Sequence, residues 1–418
     1  MKRVVVVGTG AREHALAWAL AKSAEVIVTP GNAGIAAQGI TCVPTLAIDL
    51  DADLFVIGPE QPLVDGLADQ LRTQGKAVLG PGAAGAQLEG SKAFMKEFLD
   101  DAGIPTAAYG DFSDERSALA FLETMHPPYV IKTDGLAGGK GVLVTNDLEE
   151  ARRDVIEKMS GETFGDAGRT IVIEEGLIGE ECSLHVLCDG NAIVPLVAAH
   201  DFKRVGDHDE GANTGGMGAY APIPSLSAEQ VEEMMRLIIQ PTLEELRRRG
   251  LEYRGVLYAG VMLTDDGPKL LEYNVRFGDP EAQVIVTLYG DDFFDLLLQC
   301  AEGRLEESEH AASGAAVTVV LAAEGYPQHP RRGDVINGLG DDGQLETPLE
   351  DVIVFHAATL RNAENRFITR GGRILAVTGF GSNVAEARRR AYEGAGLISF
   401  KGSVRRNDIA LAATEGAT

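Results

Sequence analysis

Lys132-Thr133-Asp134-Gly135-Leu136-Ala137-Gly138-Gly139-Lys140-Gly141-Val142 lies between two apolar runs, Tyr129 to Thr133 and Gly141 to Thr145. Short runs of this kind, rich in β-branched residues, read as strands. The glycine-dense link makes them an antiparallel hairpin. Its four glycines let the backbone approach a ligand closely and offer N–H groups to it. Lys132 and Lys140 add charge suited to phosphate oxygens. The spacing and the following Ser/Thr of a Walker A loop are both absent, so this is a different phosphate cover. A plain surface hairpin is the competing reading, and the two lysines weigh against it.

Upstream, strand and helix patterns alternate. Val4 to Val7, Val26 to Thr29, Leu54 to Gly58 and Ala77 to Leu79 read as buried strands, with helices from about Arg12 to Lys22 and Pro62 to Thr73. That order predicts a doubly wound parallel sheet with a ligand crevice at the strand ends. Its first turn, Gly8-Thr9-Gly10, resembles a dinucleotide fingerprint, but Glu13 stands where the third glycine belongs. No acidic residue closes the second strand; Thr29-Pro30-Gly31-Asn32 is there instead. A phosphate site at a helix N-terminus and a plain tight turn both fit this segment.

Downstream, Ser91 is placed to cap a helix from Lys92 to Asp101, stopped by Gly103 and Pro105. Ile171 to Glu174, Cys182 to Cys188 and Ile193 to Ala198 read as strands, and Ser227 to Arg249 as a helix ending at Gly250. Val256 to Thr264 and Lys269 to Tyr273 follow as a strand pair. The last hundred residues read as strands Ala316 to Leu321, Val352 to Leu360 and Arg373 to Thr378, plus a helix near Glu386 to Leu397.

Three further segments carry chemistry. Glu174-Glu175-Gly176-Leu177-Ile178-Gly179-Glu180-Glu181 links two strands, and can give backbone groups to an adenine edge and a carboxylate to a ribose diol; a solvated acidic loop is the plainer alternative. Glu272 and Asn274 are two apart on a strand, so their oxygens share a face. Hard oxygen donors suit Mg²⁺, which also keeps waters and phosphates. Arg276 follows, placed for a phosphate or acyl phosphate, with a structural salt bridge as its alternative. Asp201-Phe202-Lys203-Arg204 and Asn213-Thr214-Gly215-Gly216-Met217-Gly218 form a polar, glycine-rich loop too elaborate for a connector. His185 reads as a core residue, and Arg388-Arg389-Arg390 as a solvated helix face.

Composition narrows the partners. The formal net charge is −26, with 37 Lys+Arg against 63 Asp+Glu. Such a surface repels nucleic acid and anionic membranes, so an anionic substrate must be held by local cations and N–H groups. No apolar run approaches the ~20 residues of a membrane helix. Cys42, Cys182, Cys188 and Cys300 show no paired spacing and read as reduced, which with the short N-terminal apolar run predicts a cytoplasmic protein.

Taken together, these segments resemble the phosphoribosylamine–glycine ligases (glycinamide ribonucleotide synthetases), an ATP-grasp family of purine synthesis. Gly10 to Leu16, Pro30 to Gly34, Gly58 to Leu67 and Leu88 to Lys92 carry the likeness, with the 134–142 loop, Asn213 to Tyr220 and Arg276 to Glu281. The resemblance implies an α/β and α+β multidomain protein. Residues 1–90 would form the N-terminal α/β substrate domain, 91–313 the ATP-grasp domain with a lid at about 106–178, and 314–418 a mixed α+β C-terminal domain. It implies ATP as co-substrate, glycine and 5-phosphoribosylamine as partners, Mg²⁺ or Mn²⁺ as cofactor, and a monomer. Arg276, Lys132 and Asp201 would be catalytic. Lys92, Lys132, Gly138, Gly139, Lys140, Gly141, Glu174, Glu175, Leu177 and Glu181 would bind ATP, and Glu272 and Asn274 the metal. Gly8, Gly10, Glu13, Asn32, Glu60, Asp201, Asn213, Thr214, Gly215, Gly216, Met217, Arg276, Gly278 and Asp279 would surround the other substrates. Glycine would be activated as its acyl phosphate and captured by the amine. The chain departs from the family pattern at Phe202 and Ala212, and at Thr133 and Gly138 where alanine is commoner, which bears on local tuning and leaves the metal and arginine positions intact.

Overall fold

The computed structural model describes residues 1–136, 141–161, 168–306 and 312–415. Gly138, Gly139 and Lys140, assigned above to ATP, lie outside these residues.

The chain opens with strands β1 (Arg3–Gly8), β2 (Glu25–Pro30), β3 (Thr41–Cys42), β4 (Leu54–Ile57) and β5 (Val78–Leu79), a parallel sheet ordered β3-β2-β1-β4-β5. Val4, Val5 and Val6 are fully buried, as expected when helices cover both faces of a parallel sheet. The strand order reverses between β1 and β4, which places a crevice beyond Gly8 and Gly58. The single helix expected from Pro62 to Thr73 is two helices, Glu60–Val64 and Leu67–Thr73. Gly66 between them has φ +83°, a left-handed conformation that a helix cannot continue through.

The helix Lys92–Ala102 begins where Ser91 Oγ accepts from Phe94 N and ends at left-handed Gly103. Next come β6 (Tyr109–Phe112), β7 (Tyr129–Thr133), β8 (Val142–Thr145) and β9 (Ile171–Glu175), antiparallel in the order β6-β9-β7-β8. Helices Glu115–Leu122 and Leu148–Met159 cover this sheet over a core of its own that includes Leu122, Ile131, Val155 and Ile173. A second antiparallel sheet, ordered β11-β10-β14-β15, contains β10 (Glu180–Cys188), β11 (Ile193–Pro195), β14 (Gly255–Thr264) and β15 (Gly267–Asn274). The helical stretch from Ala228 to Arg248 holds a π-helical segment, Met235–Ile239, just before Pro241. Proline has no N–H for the α ladder, and the turn opens there.

The last sheet is ordered β12-β13-β16-β20-β17. It joins β16 (Ala315–Ala322), β17 (Val352–His356) and β20 (Arg373–Gly381) to two strands from far earlier in the chain, β12 (His200–Asp201) and β13 (Gly218–Ala221). The strand expected from Val352 to Leu360 breaks after His356; Thr359–Arg361 pairs instead with Phe367–Thr369. The basic run on helix Val384–Leu397 differs from its solvated-face expectation. Arg388 donates to the carbonyls of Ile409 and Asn407, and Arg390 to Phe380 O and Asp351, leaving Arg389 as the exposed member. Among the described residues no helix is long and apolar enough to cross a membrane, and the four cysteines are unpaired.

Candidate active site

A cavity of about 820 Å³ opens between the β6–β9 sheet and the β10–β15 sheet. Its walls collect residues from every chemistry-bearing segment, the N-terminal one contributing only Arg12, just past its glycine turn. Lys92, Lys132, Gly141, Glu174, Glu175, Leu177 and Glu181 line it. So do Glu60, Asp201, Asn213, Thr214 and Gly215. Glu272, Asn274, Arg276, Gly278 and Asp279 complete the set. Gly8, Gly10, Glu13, Asn32, Gly216 and Met217 do not line it.

The first turn shows why. Glu13 folds back on its own helix N-terminus: Gly10 N donates to Oε2 at 2.6 Å and Arg12 Nε to Oε1 at 2.7 Å. The Glu13 side chain fills the space under three glycines; a Cβ at Gly8, Gly10 or Gly58 would come within 2.5, 2.8 or 2.1 Å of it. The chain's own carboxylate therefore takes the Gly10 N–H that a phosphate at this helix N-terminus would need, and Glu13 has a structural place where a third glycine would stand. Asn32 is likewise occupied: it caps helix Ala33–Ala37 and donates to Thr9 O and His356 O.

Two of the lysines gather around one buried carboxylate, Glu174. Lys132 Nζ lies 2.9 Å from Glu174 Oε2 and donates to Leu271 O at 3.2 Å. Lys96 Nζ lies 3.2 Å from the other oxygen, Oε1. Burial pulls the Lys92 ammonium below its ordinary pKa, with Glu272 opposing. Lys203 sits between carboxylates, in contact with Glu181 and 3.9 Å from Glu272 Oε1. Burial would weaken its charge, but Glu181, Asp201 and Glu272 together raise its pKa.

Across the cavity stand Glu181, Asp201, Glu272, Asn274 and Glu281. Burial pushes the Asp201 carboxyl well up, Lys203 pulls the other way, and Glu281, Glu181 and Glu272 add to the rise. Asp201 Oδ1 is buried with no hydrogen-bond partner. For Glu272, burial works upward but Lys203, Lys132, Lys92 and Arg276 outweigh it, so the carboxyl stays ionised below its ordinary range. A set of oxygen donors with surplus negative charge and an unpartnered buried oxygen fits a hard divalent cation at Glu272 and Asn274.

Arg276 is fixed by Glu89 Oε1 at 2.7 Å and Glu60 Oε2 at 3.3 Å. Burial would lower its pKa, but these carboxylates raise it. Glu89 is itself pushed up by burial despite Arg276, and it accepts from Val275 N at 2.8 Å. His185 lies beneath the site, stacked on Tyr258 at 4.2 Å, with Nε2 accepting from Gly278 N at 3.1 Å. Burial lowers its pKa to about 3, so it is neutral packing that holds the 276–281 turn. Phe202 lies off the cavity wall against His200, Tyr220 and the Arg406 guanidinium.

Sequence reasoning missed Lys96, Glu89, Tyr326 and Arg373. Lys96 had a signal, lying one helical turn after Lys92. Arg373 had none. It reaches from β20 to Asp279 Oδ2 at 3.0 Å, Asp279 O at 2.7 Å, and the carbonyls of Gly215 and Gly216. Tyr326 OH accepts from Gly215 N at 3.0 Å. The C-terminal sheet thus clamps the 213–218 loop to the 276–281 turn.

A small antiparallel sheet covering a lysine-lined cavity, with oxygen donors on the opposing sheet, defines the ATP-grasp class. The family models for phosphoribosylglycinamide synthetase match in three parts: the N domain at residues 2–89, the ATP-grasp (A) domain at 90–282 and the C domain at 316–412. The chain belongs to the phosphoribosylglycinamide synthetase family. The phosphoribosylamine–glycine ligase of Caulobacter vibrioides is 46% identical over 420 residues, covering 97% of each chain. The crystal structure of the Thermotoga maritima phosphoribosylamine–glycine ligase matches with a TM-score of 0.84 at 36% identity, covering 98% of this chain and 100% of that one. The biotin carboxylase domain of Hydrogenobacter thermophilus 2-oxoglutarate carboxylase, solved with MgADP, shares the fold with a TM-score of 0.73 at 18% identity, over 97% and 91% of the two chains.

Proposed function

We infer that the chain joins glycine to 5-phosphoribosylamine, converting ATP to ADP and phosphate, as a carbon–nitrogen ligase of purine biosynthesis. The observation that carries this reading is one cavity holding Lys92, Lys132, Glu272, Asn274 and Arg276 together, in a chain whose full-length relatives bear that name. A carboxylate oxygen of glycine attacks the γ-phosphorus, and the bond to the bridging oxygen breaks to release ADP. The amine of phosphoribosylamine then attacks the acyl carbonyl, phosphate leaves with the C–O electron pair, and the amine gives up a proton.

Alignment and charge do most of the work. Lys92 and Lys132 face the phosphates, and Arg276, held rigid by Glu89 and Glu60, faces the transferring group. Leu177 and the 174–175 backbone border the adenine, and Glu181 holds the ribose. Asp201 suits the ammonium of glycine, with the 213–217 loop and Gly278 and Asp279 around it: its buried Oδ1 accepts no hydrogen bond, and a bound ammonium would favour the ionised carboxyl against burial. Glu272 and Asn274 would hold Mg²⁺ or Mn²⁺, which supplies charge neutralisation at the phosphates. Closure of a lid at about residues 106–178 excludes water from the acyl phosphate. The N-terminal unit, residues 1–90, takes the phosphoribosylamine at the Glu60 edge of the cavity, where Arg12 and Arg276 supply the cations for its phosphate; Gly8, Gly10, Glu13 and Asn32 shape the crevice behind it. Residues 91–313 form the ATP-grasp unit, and 314–418 complete the cleft. We read the protein as a cytoplasmic monomer with no nucleic-acid or membrane partner.

The test is phosphate release from ATP with phosphoribosylamine generated in situ, with glycine, with bicarbonate and with neither. Glycine-dependent release with a new amide product is expected. Release triggered by bicarbonate instead would assign the chain to a carboxylase-type reaction.

A further inference from the structure

Lys96 is a completely buried lysine (0% exposed) outside the cavity lining. Its ammonium lies 3.2 Å from Glu174 Oε1 and donates to Thr106 Oγ1 at 2.8 Å, and Thr106 in turn donates to Leu270 O at 2.7 Å. On the other side of the carboxylate, Lys132 approaches Oε2 at 2.9 Å and donates to Leu271 O. One carboxylate therefore serves two ammonium groups, and the same network ties β7 and β9 to the strand carrying Glu272. Of the two lysines Lys132 lines the cavity, beside Glu174, and Lys96 does not.

The charge count gives the arrangement its meaning. Two lysines and one glutamate leave one net positive charge. Without Lys96 the remaining pair is neutral, and Glu174 holds the Lys132 ammonium entirely to itself. A protein with a net charge of −26 has no global field to draw in a polyanion, so each local cation counts.

We propose that Lys96 is a positioning residue for nucleotide binding: by sharing Glu174 it keeps the charge of Lys132 available to phosphate oxygens. The proposal rests on the reading of the cavity as the ATP site. It assigns the Glu174 side chain as a counter-ion, with its backbone at the adenine edge. Tyr109, whose ring lies 5.0 Å from Lys96 Nζ, and Asp100 are the other groups facing this ammonium. Burial, only partly offset by Glu174, lowers the Lys96 pKa to about 8.

The experiment is ATP binding to the full-length protein by titration calorimetry, independent of turnover. Lys96→Met is expected to weaken ATP binding by about tenfold to a hundredfold, the scale of one charge-assisted contact. The double variant Lys96→Met/Glu174→Gln restores the net positive charge and is expected to recover most of that loss. A packing role alone predicts the opposite, because two buried lesions compound. In the parent protein, ATP affinity should fall as pH rises through about 8, and in Lys96→Arg it should fall less steeply, because only Lys92 of the two lowered lysines is left to titrate. Lys96→Met affinity within twofold of the parent, a double variant no tighter than the single, or the same pH dependence in Lys96→Arg would each overturn the proposal. The parent and Lys96→Arg pair decides it even if Lys96→Met does not fold. A parent that binds no ATP defeats the underlying functional reading instead.

Discussion

Glu272→Gln is the most informative change at the proposed centre. It removes one negative charge and keeps size and shape. The side chain is 34% exposed and its nearest cation, Lys203, retains Glu181 as a partner. The lowered pKa of Glu272 means that the ionised carboxylate stabilises the fold, so the variant should melt somewhat lower while still unfolding cooperatively. Its chemical effect should be large. The carboxylate is held ionised by Lys203, Lys132, Lys92 and Arg276 against the pull of burial, so at neutral pH the variant lacks a full charge where a divalent cation would sit. Losing one preorganised electrostatic group costs about 10²-fold in turnover, or about 2.7 kcal/mol in the barrier. The assay is glycine-dependent phosphate release across a series of Mg²⁺ concentrations. The expected result is a lower maximal rate and a higher Mg²⁺ requirement in a protein that is still folded at the assay temperature. A rate within threefold of the parent at the same Mg²⁺ requirement would refute the placement of the cation on β15.

Arg373→Ala should raise the KM for glycine at least about tenfold while ATP affinity changes little, because it frees Gly215, Gly216 and Asp279 and leaves the lysines untouched; calorimetric ATP titration beside glycine kinetics checks the split. Gly34→Ala should cost about 1–3 kcal/mol of stability by overpacking. Its new Cβ would lie 2.0 Å from His356 Cγ, and that ring is pinned by Thr359 and Gly343, so thermal melting should show the loss. Stability should also fall on acidification. Burial depresses the pKa of His14 and His185 to about 3 and of His356 to about 4. Their stabilising contribution is complete above the unfolded value of about 6.5 and is lost as pH drops toward 3–4, at about 1.4 kcal/mol per pH unit for each histidine. Glu89 and Asp201, with raised pKa values, act in the opposite sense and offset part of it. A urea midpoint no lower at pH 5 than at pH 7.5 would contradict this balance.

Much of the architecture was legible because it rests on local rules. Val4 to Val7 are apolar at every position because both sheet faces are covered, and Ser91 caps its helix because its hydroxyl meets an orphan N–H. The motif residues at 174–181, 213–215 and 272–279 were legible as chemistry, since glycine, carboxylate and amide clusters are costly to keep without a task. Long-range partnership was hidden. Nothing near Arg373 signals Asp279, and nothing near Glu89 signals Arg276. Glu13 was misleading in isolation: its carboxylate has a structural place under Gly8, Gly10 and Gly58 that only the folded turn reveals. Arg388 and Arg390 looked solvated because their acceptors are backbone carbonyls, which leave no mark in a sequence.

The sheet that mixes β12 and β13 with strands from the end of the chain has a practical consequence. Cutting the protein at the apparent seam before Ala315 would strip β13 of its β16 neighbour and leave a raw hydrogen-bonding edge beside the cleft. The carboxyl-terminal portion is therefore no detachable cassette. During synthesis the middle of the chain must wait for the tail before its own sheet can close, and evolution cannot trade one part without recutting the other.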